Sequence, residues 1–342
     1  MTITFNPTLL QFMFVSEMAI LKVKMDPSTE FALTILKDAE QIFNATYLTD
    51  TEGNVTIYDL DRVFDYHTRV LPTSFLFRIT IGASSYAYPM QMFKSRVAVD
   101  NRATDFIQDF FLSPVTGDRD TAIGRIEMLT AYIPTATDIE TYCTYYKDGK
   151  VWEEVWGGSN DRGLYDIIAK VSAYARDDAQ LVGFRHVIGN REMRYRVLDY
   201  TPKVTEAFLY RNCFGVMETI YFTGTKEVMP SYTRGTSYID GLYVNYKVRD
   251  EMIYKINTGV MRSSMEQALL DLARSEEVYL LQDNGAPGYR VTITDCDVKH
   301  DNADDELLEA NYTYRVAQRF NSELKDYRRP QIFDDTFDTT YE

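Results

Sequence analysis

Tyr142-Cys143-Thr144-Tyr145-Tyr146-Lys147-Asp148-Gly149-Lys150-Val151-Trp152-Glu153-Glu154-Val155 is the stretch whose reading decides the fold class. Aromatic and β-branched side chains flank a single Asp-Gly pair, and such pairs supply the positive φ angles that a two-residue hairpin turn requires. The stretch therefore reads as a β-hairpin, residues 142–146 in one strand and 151–155 in the other. Working outward, the same turn chemistry recurs. Ile239-Asp240-Gly241-Leu242 carries a second Asp-Gly pair, Glu52-Gly53-Asn54 leads into Val55-Thr56-Ile57-Tyr58, and Asp283-Asn284-Gly285 precedes a strand at Tyr289.

Between these turns the side chains alternate. Phe31, Leu33 and Ile35 share one face, and Phe75, Phe77, Ile79 and Ile81 share another with Arg78 and Thr80 pointing away. Leu242, Val244, Tyr246 and Val248 alternate with Tyr243, Asn245 and Lys247, and Tyr289, Val291 and Ile293 with Arg290, Thr292 and Thr294. A period of two predicts strands with one face on a core and the other in water. Helical signal is sparse. Ser263-Ser264-Met265-Glu266-Gln267 resembles a capping box, and Ala268, Leu269 and Leu272 follow on one face, which predicts a helix near 264–274. Phe106, Ile107, Phe110 and Phe111 have helical spacing, while Leu164, Ile167, Ile168 and Val171 fit a helix or a strand equally.

The expected fold is mainly β: two or three antiparallel β-sandwich-like domains with few short helices and an extended C-terminal tail. Polar residues or proline interrupt the patterned runs near residues 100–103 and 200–204. The expected divisions are thus 1–102, a middle β-rich unit 103–203, a C-terminal β-rich unit with one helix 204–330, and a tail 331–342. In that tail Ile332, Phe333, Phe337 and Tyr341 stand among Asp334, Asp335, Asp338 and Glu342, too sparsely to form a core. These four apolar residues are the candidate subunit contacts.

Composition narrows the function classes. The 342 residues allow several cores, and 45% hydrophobic with 25% charged residues marks a folded chain. The 26 Tyr and 19 Phe against 2 Trp favour β structure and, through their half-wet character, protein interfaces. A net charge of −15 opposes nucleic-acid binding, which needs clustered Lys and Arg on phosphates, and opposes anionic membranes for the same reason. The apolar stretch from Leu9 to Leu21 is interrupted by Gln11, Ser16 and Glu17, is preceded by no Lys or Arg, and is too short to span a bilayer. Cys143, Cys213 and Cys296 are odd in number and widely spaced, which suits a reducing cytoplasm.

No nucleophile, base and orienting group assemble into a catalytic motif, so no catalytic, cofactor or metal residue is assigned and no enzymatic activity is expected. His67, His186 and His300 lie far apart and none sits in a metal or triad motif; His67, beside Tyr66 and Thr68, reads as a half-exposed structural histidine. Asp295, Asp297, Asp301, Asp304, Asp305 and Glu306 are hard oxygen ligands of the kind that hold calcium, but their spacing does not match a calcium loop, and the plain reading is a solvated charged loop. Glu153 and Glu154 sit beside Trp152 and Trp156, as acids and aromatics do in sugar-processing clefts. Adjacent strand residues face opposite ways, however, so this pair does not flank one bond, and the two Trp rings are expected in a core or interface.

Four segments carry a resemblance. Gly53-Asn54-Val55-Thr56-Ile57-Tyr58-Asp59-Leu60, residues 211–220 (Arg-Asn-Cys-Phe-Gly-Val-Met-Glu-Thr-Ile), Val291-Thr292-Ile293-Thr294-Asp295-Cys296-Asp297 and residues 329–338 (Arg-Pro-Gln-Ile-Phe-Asp-Asp-Thr-Phe-Asp) resemble tail-associated structural proteins of Bacteroides-type phages and prophages. The likeness runs in patches from about residue 50 onward. It implies a virion protein, a tail or baseplate/hub component folded in the host bacterial cytoplasm. Its partners would be copies of itself and neighbouring tail proteins, with no nucleic acid and no membrane insertion. High negative charge would keep such a subunit soluble before assembly, and surplus Tyr and Phe would anchor it afterwards. The alternative is a carbohydrate-binding surface or adhesin module.

Overall fold

The computed structural model describes residues 2–68, 72–96, 102–115, 117–299 and 307–317. Among these the chain is mainly β, with four sheets and three short α-helices.

The first part places β1 (Thr4–Asn6), β3 (Ile20–Lys24) and β6 (Asn54–Tyr58) in a three-stranded sheet. It shares a core with a five-stranded sheet, in which β2 (Phe12–Phe14), β8 (Ser84–Phe93), β7 (Thr73–Ile81), β4 (Glu30–Lys37) and β5 (Glu40–Leu48) run in that order. Alternation did its expected work here: Phe31, Leu33, Ile35, Phe75, Phe77 and Ile79 are buried, and each belongs to the one shared core. The apolar stretch from Leu9 to Leu21 joins it through Met13, Val15, Met18 and Leu21. Helix α1 (Leu60–His67) was not anticipated; it seats only Leu60 and Phe64, four residues apart, on the core.

Gly53 shows how tightly one turn is specified. Its φ is +83°, and a Cβ there would land on the carbonyl oxygen of Met25, whose own N–H bonds to the Gly53 carbonyl at 2.9 Å. Gly53→Ala is expected to cost about 1–3 kcal/mol in backbone strain alone, plus the displaced Met25 carbonyl. A denaturant midpoint unchanged from wild type would contradict this.

The middle part forms a five-stranded sheet ordered β11-β10-β12-β13-β9, from β9 (Arg119–Thr121), β10 (Ile126–Lys147), β11 (Lys150–Lys170), β12 (Gln180–Ile188) and β13 (Arg191–Val197). The Asp-Gly turn is as read: Asp148 and Gly149 have φ of 47° and 78°, and Tyr146 pairs with Val151. The hairpin extends far beyond it, because β10 and β11 stay paired through two bulges to Ile126 and Lys170. The segment with Leu164 to Ile168, ambiguous in sequence, belongs to β11. Two pairings depart from the antiparallel expectation: β2 with β8, and β13 with β9, are parallel.

The last part is an eight-stranded sheet. Its order is β15 (Met217–Phe222), β14 (Glu206–Arg211), β19 (Val278–Leu281), β20 (Pro287–Lys299), β21 (Leu307–Val316), β17 (Leu242–Asn257), β16 (Lys226–Ile239), with β18 (Met261–Arg262) also on β21. Helix α3 (Glu266–Arg274) buries Ala268, Leu269 and Leu272, the face expected of it. Its start differs from a capping box: residues 263–265 form a 3-10 turn, and no side chain caps the helix.

A smaller core joins all three parts. Phe14 and Phe93 meet Phe106 and Ile107 of α2 (Ala103–Asp109) and Phe214, with Phe14 5.4 Å from Phe106 and 5.7 Å from Phe214 between ring centres. Glu17 ties the first residue of α2 to this junction by accepting its Ala103 N–H at 3.1 Å. The buried Arg191 guanidinium holds the other end, donating to the carbonyls of Ile107, Ile188 and Tyr132.

Candidate functional site

The tail contacts Ile332, Phe333, Phe337 and Tyr341 lie outside the described residues, as do His300 and the acidic residues Asp301, Asp304, Asp305 and Glu306. Among the described residues, no three His, Cys, Asp or Glu side chains converge as metal ligands. No helix there is long and apolar enough to cross a membrane. The three thiols are free; Cys143 and Cys213 are buried, and burial pushes the Cys143 thiol up to about 12. Trp152 and Trp156 both pack on the core of the middle sheet, as expected, Trp152 against Tyr145 and Trp156 against Tyr174. Glu153 and Glu154 diverge to opposite faces, Glu153 to Arg185 at 2.9 Å and Glu154 to Arg176 at 2.8 Å.

His67 ends α1 with its ring edge-on to Tyr66. His186 is buried beside Phe184 and Tyr195; Thr141 Oγ1 meets its Nδ1 at 2.9 Å, and its Nε2 has no partner. Burial lowers its pKa to about 4, so the ring is neutral in the fold. As pH falls below 6.5 the unfolded chain takes up a proton that the folded chain refuses until about 4, so stability is lost across that window. The shift is worth about 3 kcal/mol. The buried Asp271 acts in the opposite sense: burial raises its pKa to about 6, so acidification relieves it. His186→Gln should therefore remove the His186 contribution, so that the variant loses less stability than the wild type, by up to about 3 kcal/mol, as pH falls from 6.5 to 4. Urea titrations at pH 7, 5.5 and 4.5 would show it, and parallel pH profiles for the two proteins would refute it.

Two surface features stand out among the described residues. The first is a ribbon. Strand β17 pairs with β21 only over residues 253–257, so from Met252 to the turn strands β16 and β17 have, among the described residues, only each other. Ten cross-strand pairs, Pro230 with Met252 out to Ile239 with Leu242, project from the sheet, about 30 Å at a strand's rise per residue. Asp240 and Gly241 close it with φ of 52° and 82°. The alternation of Leu242 and Val244 predicted a strand on a core, and here the structure corrects the reading. Tyr238, Ile239, Leu242 and Tyr243 are 64%, 51%, 68% and 82% exposed, because nothing among the described residues covers either face of the ribbon. Tyr238 and Tyr243 touch edge to face at 5.0 Å. Pro230, which donates no N–H, is tolerated because β16 is an edge strand.

The second is a cleft of about 570 Å³ between the middle and last sheets, lined by Arg119, Arg125, Arg196 and Arg262 with Tyr221 and Met261. Beneath it Arg119 is buried and donates to Glu218, and its Nη2 lies 2.5 Å from Ser113 Oγ. Asn212 donates to the other Glu218 oxygen at 2.9 Å. Glu127, also buried, accepts from Thr121 at 2.6 Å, and burial raises its carboxyl pKa. At the rim one carboxylate, Asp120, serves two guanidiniums, Arg196 Nε at 2.8 Å and Arg262 Nε at 2.7 Å. Arg125 lies over the Tyr221 ring at 4.9 Å, makes no ion pair among the described residues, and leaves its buried Nε unbonded. Sequence reading did not find this site. Its arginines come from three separated segments, and no local pattern announces them.

The described residues thus present an exposed ribbon and an arginine-lined cleft on mainly β sheets. No family model matches the chain, and no curated protein matches it. A solved structure of a Ca2+-stabilised adhesin that helps an Antarctic bacterium bind ice aligns over 76% of this chain and 70% of that one, at 11% identity and a TM-score of 0.17. That score is too low to carry an argument.

Proposed function

We propose that this chain is a structural subunit of a phage tail or baseplate, non-enzymatic, working through contacts with copies of itself and with neighbouring tail proteins. The observation that carries the reading is the ribbon with its wet apolar tip. Burying each tip side chain on a partner is worth about 1.5–3 kcal/mol before ordering costs, and an isolated chain gains nothing from displaying them. The resemblance of residues 53–60, 211–220, 291–297 and 329–338 to tail-associated proteins supplies the class, and with it folding in the host cytoplasm and a place in the virion. A carbohydrate-binding or adhesin role is the competing reading. The aromatic pair it would use, Trp152 and Trp156, packs on a core instead.

Negative-stain microscopy and sedimentation of the intact chain test the proposal: a discrete oligomer or closed ring is expected, and a monomer at high micromolar concentration that binds on a glycan array would replace this reading with the other. Deleting residues 331–342 should weaken the oligomer and leave the melting temperature within a few degrees. Unimpaired assembly with a sharply lowered melting temperature would assign the tail to the fold instead.

A further inference from the structure

We infer that the arginine-lined cleft is a carboxylate-binding site whose occupant is an acidic, aromatic-bearing peptide, the segment 331–342 of a neighbouring copy; the choice of a neighbouring copy rests on the assembly reading above. In a chain of net charge −15, four guanidiniums meet only three carboxylates here, Asp120 and Glu127 in the cleft and Glu218 beneath it, a local excess of positive charge. Their acids do not match them: Glu218 answers Arg119, Asp120 is shared by Arg196 and Arg262, and Arg125 makes no ion pair among the described residues. Glu127, the other acid in the cleft, is buried, accepts from Thr121, and interacts electrostatically with both Arg119 and Arg125. Arg125 is nine-tenths buried with an unbonded Nε, so its desolvation is already in place when a ligand arrives.

A guanidinium fork matches a carboxylate in two hydrogen bonds. The cleft also offers apolar wall in Met261, Ile220 and Leu198 beside the Tyr221 ring. The required ligand therefore alternates acid with aromatic. Residues 331–342, Gln-Ile-Phe-Asp-Asp-Thr-Phe-Asp-Thr-Thr-Tyr-Glu, hold four acids, three aromatics and no base. The volume accepts one such acid–aromatic pair rather than the whole segment.

The test uses the full-length chain carrying D334N, D335N and D338N, so that its own segment does not compete. A labelled peptide of residues 331–342 is titrated against it by fluorescence anisotropy. Saturable binding is expected, weakened at least tenfold when the peptide carries the same three Asp→Asn changes, and weakened comparably by R196Q/R262Q in the receptor, two rim residues exposed enough to leave folding intact. Equal binding by the neutral peptide, or by the R196Q/R262Q receptor, overturns the inference. Displacement of the peptide by free glutamate at equal affinity also overturns it, in favour of a small-acid site. To test the origin of the segment, a full-length R196Q/R262Q chain is mixed with the tail-neutral chain. Formation of a mixed species supports donation between copies, and none overturns it. The peptide titration requires no oligomer, so its failure leaves the assembly reading standing, and a monomeric protein that still binds peptide overturns that reading and the choice of a neighbouring copy but not the carboxylate site.

Discussion

Replacing Glu218 by alanine is expected to destabilise the fold by about 3–5 kcal/mol, the cost of leaving a buried partner charge uncompensated. Arg119 cannot turn to water, since it is 3% exposed and sits among Ser113, Glu218 and Tyr195. Glu218 also accepts from Asn212 and Ser113, so its loss orphans more than one donor. Glu218→Gln keeps most of the hydrogen bonds but not the charge, and should fall between wild type and alanine. Replacing both partners with apolar residues of similar volume, Arg119→Met with Glu218→Leu, should be far milder than Glu218→Ala alone, because no charge is then stranded. Guanidinium unfolding gives all four values. A Glu218→Ala loss below 1 kcal/mol would mean that the guanidinium finds another partner, and the account of the network would fail. The network lies between the middle and last sheets, so this variant should also loosen the cleft above it.

Charging the ribbon tip is expected to act on assembly and not on folding. Leu242→Glu with Tyr243→Glu changes the two most exposed apolar side chains of the ribbon, neither of which contributes to a core cluster. The melting temperature should move by no more than a degree or two, as for exposed substitutions generally. Association should weaken at least a hundredfold, since two anchors of about 1.5–3 kcal/mol each are replaced by charges that resist burial. Sedimentation velocity across a concentration series separates the two effects. Unchanged association would remove the ribbon from the interface; a large fall in melting temperature would show that it packs on its own chain.

Some of this architecture is local and was legible in the residues. The turns at Asp148-Gly149 and Asp240-Gly241 needed only the positive φ that glycine supplies, and both close hairpins. The alternation in β4 and β7 needed only the pleat, and the buried face of α3 only a period of 3.6. What period two cannot say is whether anything stands opposite the apolar face. The pattern of Leu242 and Val244 looks like that of Leu33 and Ile35, yet one pair is in water and the other in a core. That difference is set by which sheets meet, a contact between residues far apart in the chain. The arginine cleft is hidden for the same reason. Residues 119–125, 196 and 262 carry no shared motif, and only the packing of the middle sheet against the last one brings their guanidiniums into one cleft, two of them onto the Asp120 carboxylate. The sequence by itself determined strands, turns and one helix face, because each depends on neighbours within a few residues. The tertiary structure alone decided which apolar faces stay wet and where positive charge collects, because both depend on distant segments excluding or admitting water together.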